Sequence, residues 1–133
     1  MKRTMMMIGA SLLVAACGDR KSDIKKAFRE MASEDADSMK KLRYVASMKS
    51  DLRNLVTAEE AYFADHVKYT ANPEQAGFRL NPGSNNSLSP ITLVGGGWTA
   101  TIQNPNTRQV CAIFVGTKTP IPPATEEGVP ACR

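Results

Sequence analysis

Few residues of this chain are of the kinds that do chemistry. In 133 residues there is one histidine, His66, one tryptophan, Trp98, and three cysteines, Cys17, Cys111 and Cys132; aromatics make up 6%. No Cys-x-x-Cys pair offers a metal or redox site. No Gly-x-Ser-x-Gly elbow presents a nucleophile, so nothing places a serine beside His66 for a triad. Gly95-Gly96-Gly97 lacks the Lys-Ser/Thr and helix of a phosphate loop, and its use is conformational. No apolar run reaches the ~20 residues that span a bilayer as a helix. Nor is there a clustered basic stripe of the kind nucleic acid demands. The 17 basic and 13 acidic residues leave a net charge of +4. The groups Lys25, Lys26, Arg29 and Lys40, Lys41, Arg43 are interleaved with acids and read as a solvated helix face.

What is present begins at the N-terminus. Lys2 and Arg3 precede an apolar run from Met5 to Val14, and Ala15 and Ala16 precede Cys17. That is the layout of a secretory signal peptide. As a helix, the run to Cys17 covers roughly 20 Å, short of the ~30 Å hydrocarbon core. The sequence Leu13-Val14-Ala15-Ala16-Cys17 resembles the lipobox of bacterial lipoproteins, with Val14 where leucine is commonest. The resemblance implies that the Cys17 thiol receives diacylglycerol, that residues 1–16 are removed, and that the new N-terminus is acylated. An ordinary signal peptidase site after Val14-Ala15-Ala16 is the rival reading and leaves a free thiol. Gly18, not aspartate, follows the cysteine, which resembles the pattern sent to the outer membrane, facing the periplasm. Several acyl chains on one residue give stable anchoring.

Residues 19–67 contain neither proline nor glycine and are mostly helix formers. Ile24, Phe28 and Met31 recur at i, i+4, i+7. The acidic run at 33–38 interrupts the pattern, and Ser33, Asp35 or Asp37 offers a cap. Then Met39, Leu42, Val45, Met48, Leu52, Leu55, Val56, Glu59, Tyr62 and Phe63 keep a three-four spacing. This predicts an amphipathic helix over 37–67, with a weaker helical stalk from residue 23. The stripe is expected to pack in the core; a coiled-coil seam to a partner is the alternative for the stalk. Asn72-Pro73 ends any helix, and 71–90 is a loop, with a short strand at 78–80. Strands are expected at 91–94, 98–103 and 109–116, with a hairpin turn at 104–107. Three to four antiparallel strands cannot bury both their faces, and the helix stripe covers one. The expected fold is α+β, a long amphipathic helix on a small antiparallel sheet. The domain plan is 1–16 signal peptide, 17–36 lipidated N-terminus and charged stalk, and 37–133 the folded domain. The tail from 117 carries four prolines and would wander. With Cys17 lipidated, pairing Cys111 to Cys132 closes a loop of about 22 residues, for which chain entropy gives about 3 kcal/mol. Export permits the bond. A metal or catalytic thiol pair is the other reading.

KSDLRNLVTAEEAYFADHVKYT at 49–70 resembles the helix-and-exit segment of type IV pilin-like proteins and pseudopilins. GGGWTATI at 95–102 is similar to their Gly-Trp strand. VCAIFVG at 110–116, then a proline-rich stretch and GVPAC at 128–132, is similar to their last strand and disulfide-tied C-terminal loop. The resemblance covers 49–133. It implies a helix-on-sheet domain working in a pilus or type II secretion-type assembly. The leader differs. Gly9 is the only glycine placed for a pilin cut site, Val14 stands where the family has glutamate, and the apolar helix stops at Cys17. The chain looks like a pilin globular domain set on a lipid anchor. Some pseudopilins bind calcium near the position of Glu126 and Glu127; two adjacent acids without further ligands do not make a calcium set.

Glu59 and His66, at i, i+7, share a helix face, but a single pair is a thin metal site. The plainer reading of His66 is a charge near a helix C-terminus that suits the dipole. Tyr62, Tyr69 and Trp98 are candidates for a partner or ligand surface, against the plainer reading of core aromatics. The expected function is a non-enzymatic, lipid-anchored envelope protein with an envelope protein partner, without cofactor, metal or nucleic acid. An exported small-ligand-binding lipoprotein and a small hydrolase using His66 are the alternatives.

Overall fold

The computed structural model describes residues 19–133, so Cys17 and the expected signal peptide at 1–16 lie outside the described residues. The chain divides into two compact units, Met1–Asp37 and Ser38–Arg133.

Helix α1 runs from Asp19 to His66, 48 residues without a break. The acidic run at 33–38 does not interrupt it. Ser33 Oγ donates back to the Glu30 carbonyl at 2.7 Å instead of capping a new helix. The long helix contains no residue that forbids its continuation, and propensity prevails over the local acidic run. Its end is at Val67, in the left-handed conformation with φ 56°. The Val67 N–H still donates to Phe63 O at 2.7 Å. In the first unit Ile24, Phe28 and Met31 are 55, 64 and 52% exposed, which corrects the expectation that they pack in a core. In the second, Met39 and Leu42 are also exposed, and burial begins with Val45 and Met48. Among the described residues no helix is long and apolar enough to cross a membrane.

Five short strands follow: β1 (Ser87–Leu88), β2 (Thr92–Val94), β3 (Gly97–Gln103), β4 (Val110–Val115) and β5 (Ala131–Cys132). All pairings are antiparallel. β3 pairs with β4 along its length, from Trp98↔Val115 to Gln103↔Val110. The other edge of β3 is shared by β1, at Ile102 and Gln103, and β2, at 97–99. β5 closes the far edge on β4. The expected strand at 78–80 does not form. Phe78 N–H donates to Pro73 O at 2.8 Å inside a run of turns, and its ring is buried without belonging to a sheet.

The main core lies between Met48, Leu52 and Leu55 of α1 and the alternating Trp98, Ala100 and Ile102 of β3, with Cys111, Ile113 and Val115 of β4. β4 is buried on both faces. Ala112 and Phe114 pack against Ala124, Ile121 and Ala131, so the proline-rich tail covers the sheet face that the helix does not. That explains its unbroken apolar run. Cys111 and Cys132 stand opposite each other in the β4–β5 register and form a disulfide, closing a separation of 21 residues. Val110 and Arg133 exchange backbone hydrogen bonds at 2.9 and 3.1 Å just beyond it.

The helix is tied to the loops by a buried polar network. Asp51, fully buried, accepts from Asn86 Nδ2 at 2.7 Å and from Asn81 N–H at 3.2 Å. Asn86 Nδ2 also donates to Ser47 Oγ at 3.0 Å. Asn86 Oδ1 accepts from Asn104 Nδ2 at 2.7 Å, and the same nitrogen donates to Ser84 O at 2.8 Å. Helix, loop 81–86 and the β3–β4 turn are thereby fixed to one another.

Candidate functional site: a groove at the helix exit

The left-handed turn at Val67 reverses the chain, and residues 68–72 fold back along the helix. Glu59, buried on α1, accepts the Thr70 N–H at its Oε2, 3.1 Å away. Thr70 Oγ1 donates to Gln75 Oε1 at 3.0 Å and accepts Asn72 N–H at 3.1 Å. These bonds place Tyr69. Its hydroxyl donates to Glu60 Oε1 at 2.8 Å, and its ring meets Phe63 at 4.7 Å and the edge of Trp98 at 6.5 Å. From behind, Gly116, with φ 69°, comes so close that an added Cβ would stand 3.0 Å from Gly97 Cα and 3.3 Å from Tyr69 Cε2. At Gly97 any Cβ would collide with the Val115 and Gly116 backbone, so only glycine fits.

Between the helix exit and β2 lies an open groove of about 370 Å³, lined by Phe63, Val67, Lys68, Tyr69, Leu93, Val94 and Gly95 to Gly97. Its rim is apolar and uncovered: Val67 is 79% exposed, Leu93 50% and Val94 39%. Among the described residues β2 pairs with β3 alone, so its other backbone edge has no strand partner.

Two ionisable groups at the helix exit are perturbed. Burial pushes the Glu59 carboxyl above its ordinary 4.5, the Thr70 N–H opposes this, and the neighbouring Glu60 charge adds to the rise. Burial, the hydrogen bond to Glu60 and the charges of Glu60, Glu127 and Glu59 push the Tyr69 hydroxyl up to about 12. Tyr69 is therefore a permanent donor near neutral pH, a positioning role and not an acid–base one. Glu59 Oε1 and Trp98 Nε1 are buried without a hydrogen-bond partner among the described residues.

The aromatic residues singled out in the sequence part company here. Tyr69 forms a wall of the groove. Trp98 is fully buried in the core with Met48, Leu52 and Leu55 of the helix, so it belongs to no exposed surface. Tyr62 stacks on His66, with ring centroids 4.0 Å apart and planes 11° apart, away from the groove. His66 Nδ1 donates to Tyr62 O at 2.9 Å. Glu59 and His66 are not brought together, since one is buried on Thr70 and the other exposed on Tyr62. Glu127 Oε1 accepts the Gly116 N–H at 2.6 Å. Among the described residues no group of three or more His, Cys, Asp or Glu side chains could hold a metal ion. Val67, Leu93 and Val94, which make the rim, were legible only as the last turn of a helix and part of a strand.

A second cleft of about 510 Å³ opens on another side of this unit, lined by Pro73, Phe78, Leu80, Leu88, Pro90 and Ile91, with Glu74 and Arg79 among its polar residues. No protein-family model, curated protein or solved structure matches the chain.

Proposed function

We propose that this chain is a non-enzymatic, lipid-anchored envelope protein whose pilin-like domain docks a protein partner at the helix-exit groove. Cys17 carries the acyl anchor, in the outer membrane and facing the periplasm. The domain serves as an accessory component of a pilus- or secretion-type assembly. The partner contributes an extended apolar segment that adds to the free edge of β2 and covers Val67, Leu93 and Val94.

The observation that carries this reading is Val67. A β-branched residue in the left-handed region costs about 1–2 kcal/mol. At this position the side chain is 79% exposed and recovers little from packing within the chain. Such strain is found where a surface serves something outside the fold. The helix on an antiparallel sheet, the β4–β5 disulfide and the pilin-like segments at 49–70 and 95–102 support the family reading.

The test is a photo-crosslinking residue at position 93 in the bacterial host. The expected product is one covalent adduct with an envelope protein, lost on Val67→Asp and absent with the crosslinker at exposed Asn54. Val67→Gly is expected to give a more stable domain that captures less partner. An adduct insensitive to Val67→Asp, or none, overturns the docking site. A second reading, an exported small-ligand-binding lipoprotein, is favoured by the 510 Å³ cleft. Native mass spectrometry of the purified protein would find a bound small molecule released by Phe78→Ala.

A further inference from the structure

Residues 20–31 of α1 present a second surface, and it belongs to the first unit alone. Ile24, Phe28 and Met31 lie at i, i+4, i+7, and more than half of each side chain is exposed. A turn of 100° per residue places Lys21 and Lys25 beside this apolar strip on one side, with Arg29 further round the helix. Arg20 and Ala27 fall along the other border, with Asp23 and Glu30 beyond them. Between 19 and 29 there are five basic residues, Arg20, Lys21, Lys25, Lys26 and Arg29, against two acids, Asp19 and Asp23. Beyond this the sign reverses, with Glu30, Glu34, Asp35 and Asp37 and no basic residue before Lys40. The basic end is the one nearer Cys17 in sequence.

We infer that residues 20–31 lie along an anionic phospholipid surface, with Ile24, Phe28 and Met31 turned into the interface and Lys21, Lys25 and Arg29 on lipid phosphates. A short apolar strip bordered by cations is the pattern of an interfacial helix, and the basic residues supply the attraction to anionic headgroups. The inference deepens the lipid-anchor reading and rests on it for the nearness of the bilayer. A second copy of the helix fits less well. In a heptad seam through Ile24, Phe28 and Met31 the next positions outward are Lys21 on one side and Asp35 and Ser38 on the other. A parallel pair would bury like charges against themselves at both ends.

The test uses the protein extracted with its native modification, carrying Phe28→Trp, and reconstituted into vesicles with brominated acyl chains. One set is zwitterionic and the other contains about 30% phosphatidylglycerol, enough to attract a polybasic helix. Trp98 is buried, so a change on lipid contact comes from the indole at position 28. That indole is expected to be blue-shifted and quenched in the anionic vesicles. Both effects are expected to fall severalfold in zwitterionic vesicles and with Lys21→Glu, Lys25→Glu and Arg29→Glu together. Unquenched emission in anionic vesicles overturns the inference, as does quenching that ignores the charge reversals. A concentration-dependent blue shift in lipid-free detergent, with no quenching in vesicles, assigns the face to a second copy and also overturns it. Intact mass of the same sample reports acylation of Cys17 separately. An acylated chain with an unquenched indole defeats the inference alone. An unacylated chain whose indole is still quenched in anionic vesicles defeats the anchor alone.

Discussion

Asn86→Ala should be among the most damaging single changes in the folded domain. The side chain is small, but it sits at the centre of the buried network. Its loss takes a donor from Asp51 Oδ2 at 2.7 Å, another from Ser47 Oγ at 3.0 Å, and an acceptor from Asn104 Nδ2 at 2.7 Å. Asp51 is fully buried, so water cannot replace the missing donor without opening the domain. A hydrogen bond to a charged group contributes about 1.5–3 kcal/mol, and a stranded buried neutral partner adds about 1–3 kcal/mol. Asn104 keeps Ser84 O and Asp51 keeps Asn81 N–H, which caps the total. The expected loss is about 3–5 kcal/mol, a large part of the stability of a domain this size. At about 4–8 °C per kcal/mol, Tm falls by roughly 12–40 °C. Urea titration followed by Trp98 fluorescence measures it, because Trp98 is fully buried and unfolding exposes it. Asn54→Ala, on the exposed face of α1, should change stability by less than about 0.5 kcal/mol. A loss below about 1 kcal/mol for Asn86→Ala, with an unchanged urea slope, would refute the view that this network holds helix, loop and hairpin together.

Burial raises the Glu59 carboxyl, so the folded state holds its proton more tightly than the unfolded chain. The stability this group contributes is fully present below its ordinary 4.5 and is lost as pH rises through the raised folded value. Glu59→Gln, which keeps the acceptor for Thr70, should therefore be more stable than the parent at pH 7 and no more stable below 4.5; urea titration at the two pH values checks this. Replacing Cys111 and Cys132 together by alanine should cost about 3 kcal/mol for the 21-residue separation, read as a shift in urea midpoint that reductant reproduces in the parent. Gly97→Ala should cost at least about 1–3 kcal/mol, since its Cβ meets backbone at Val115 and Gly116 that cannot swing aside; thermal unfolding would show it.

The sequence made the helix and the two long strands legible because each is a local property. Helix formers without glycine or proline specify α1, and alternation specifies β3. The strip from Ile24 to Leu42 misled, since periodicity records that a face is apolar and not what covers it. β1 and β5, two residues each, have no pattern of their own and exist through pairing with Gln103 and Cys111. Phe78 is buried by turns that its own neighbours make, so its strand never forms. Of the site, Tyr69 could be picked out as an aromatic, but the groove depends on Val67 reversing the chain toward Leu93. Asp51 gave one usable signal: it lies three residues from Met48 and four from Leu55, on the helix face that packs inward. Nothing local tied it to Asn86, 35 residues on.

The central claim is a disulfide-tied domain held at a membrane by Cys17. Intact mass of the protein extracted from bacterial membranes, with and without reductant, tests it most directly. The account predicts a chain that starts at Cys17, carries the added mass of its acyl groups, and gains about 2 Da on reduction as one disulfide opens. An unacylated chain, or one whose Cys17 is consumed in a bond to another cysteine, would contradict it.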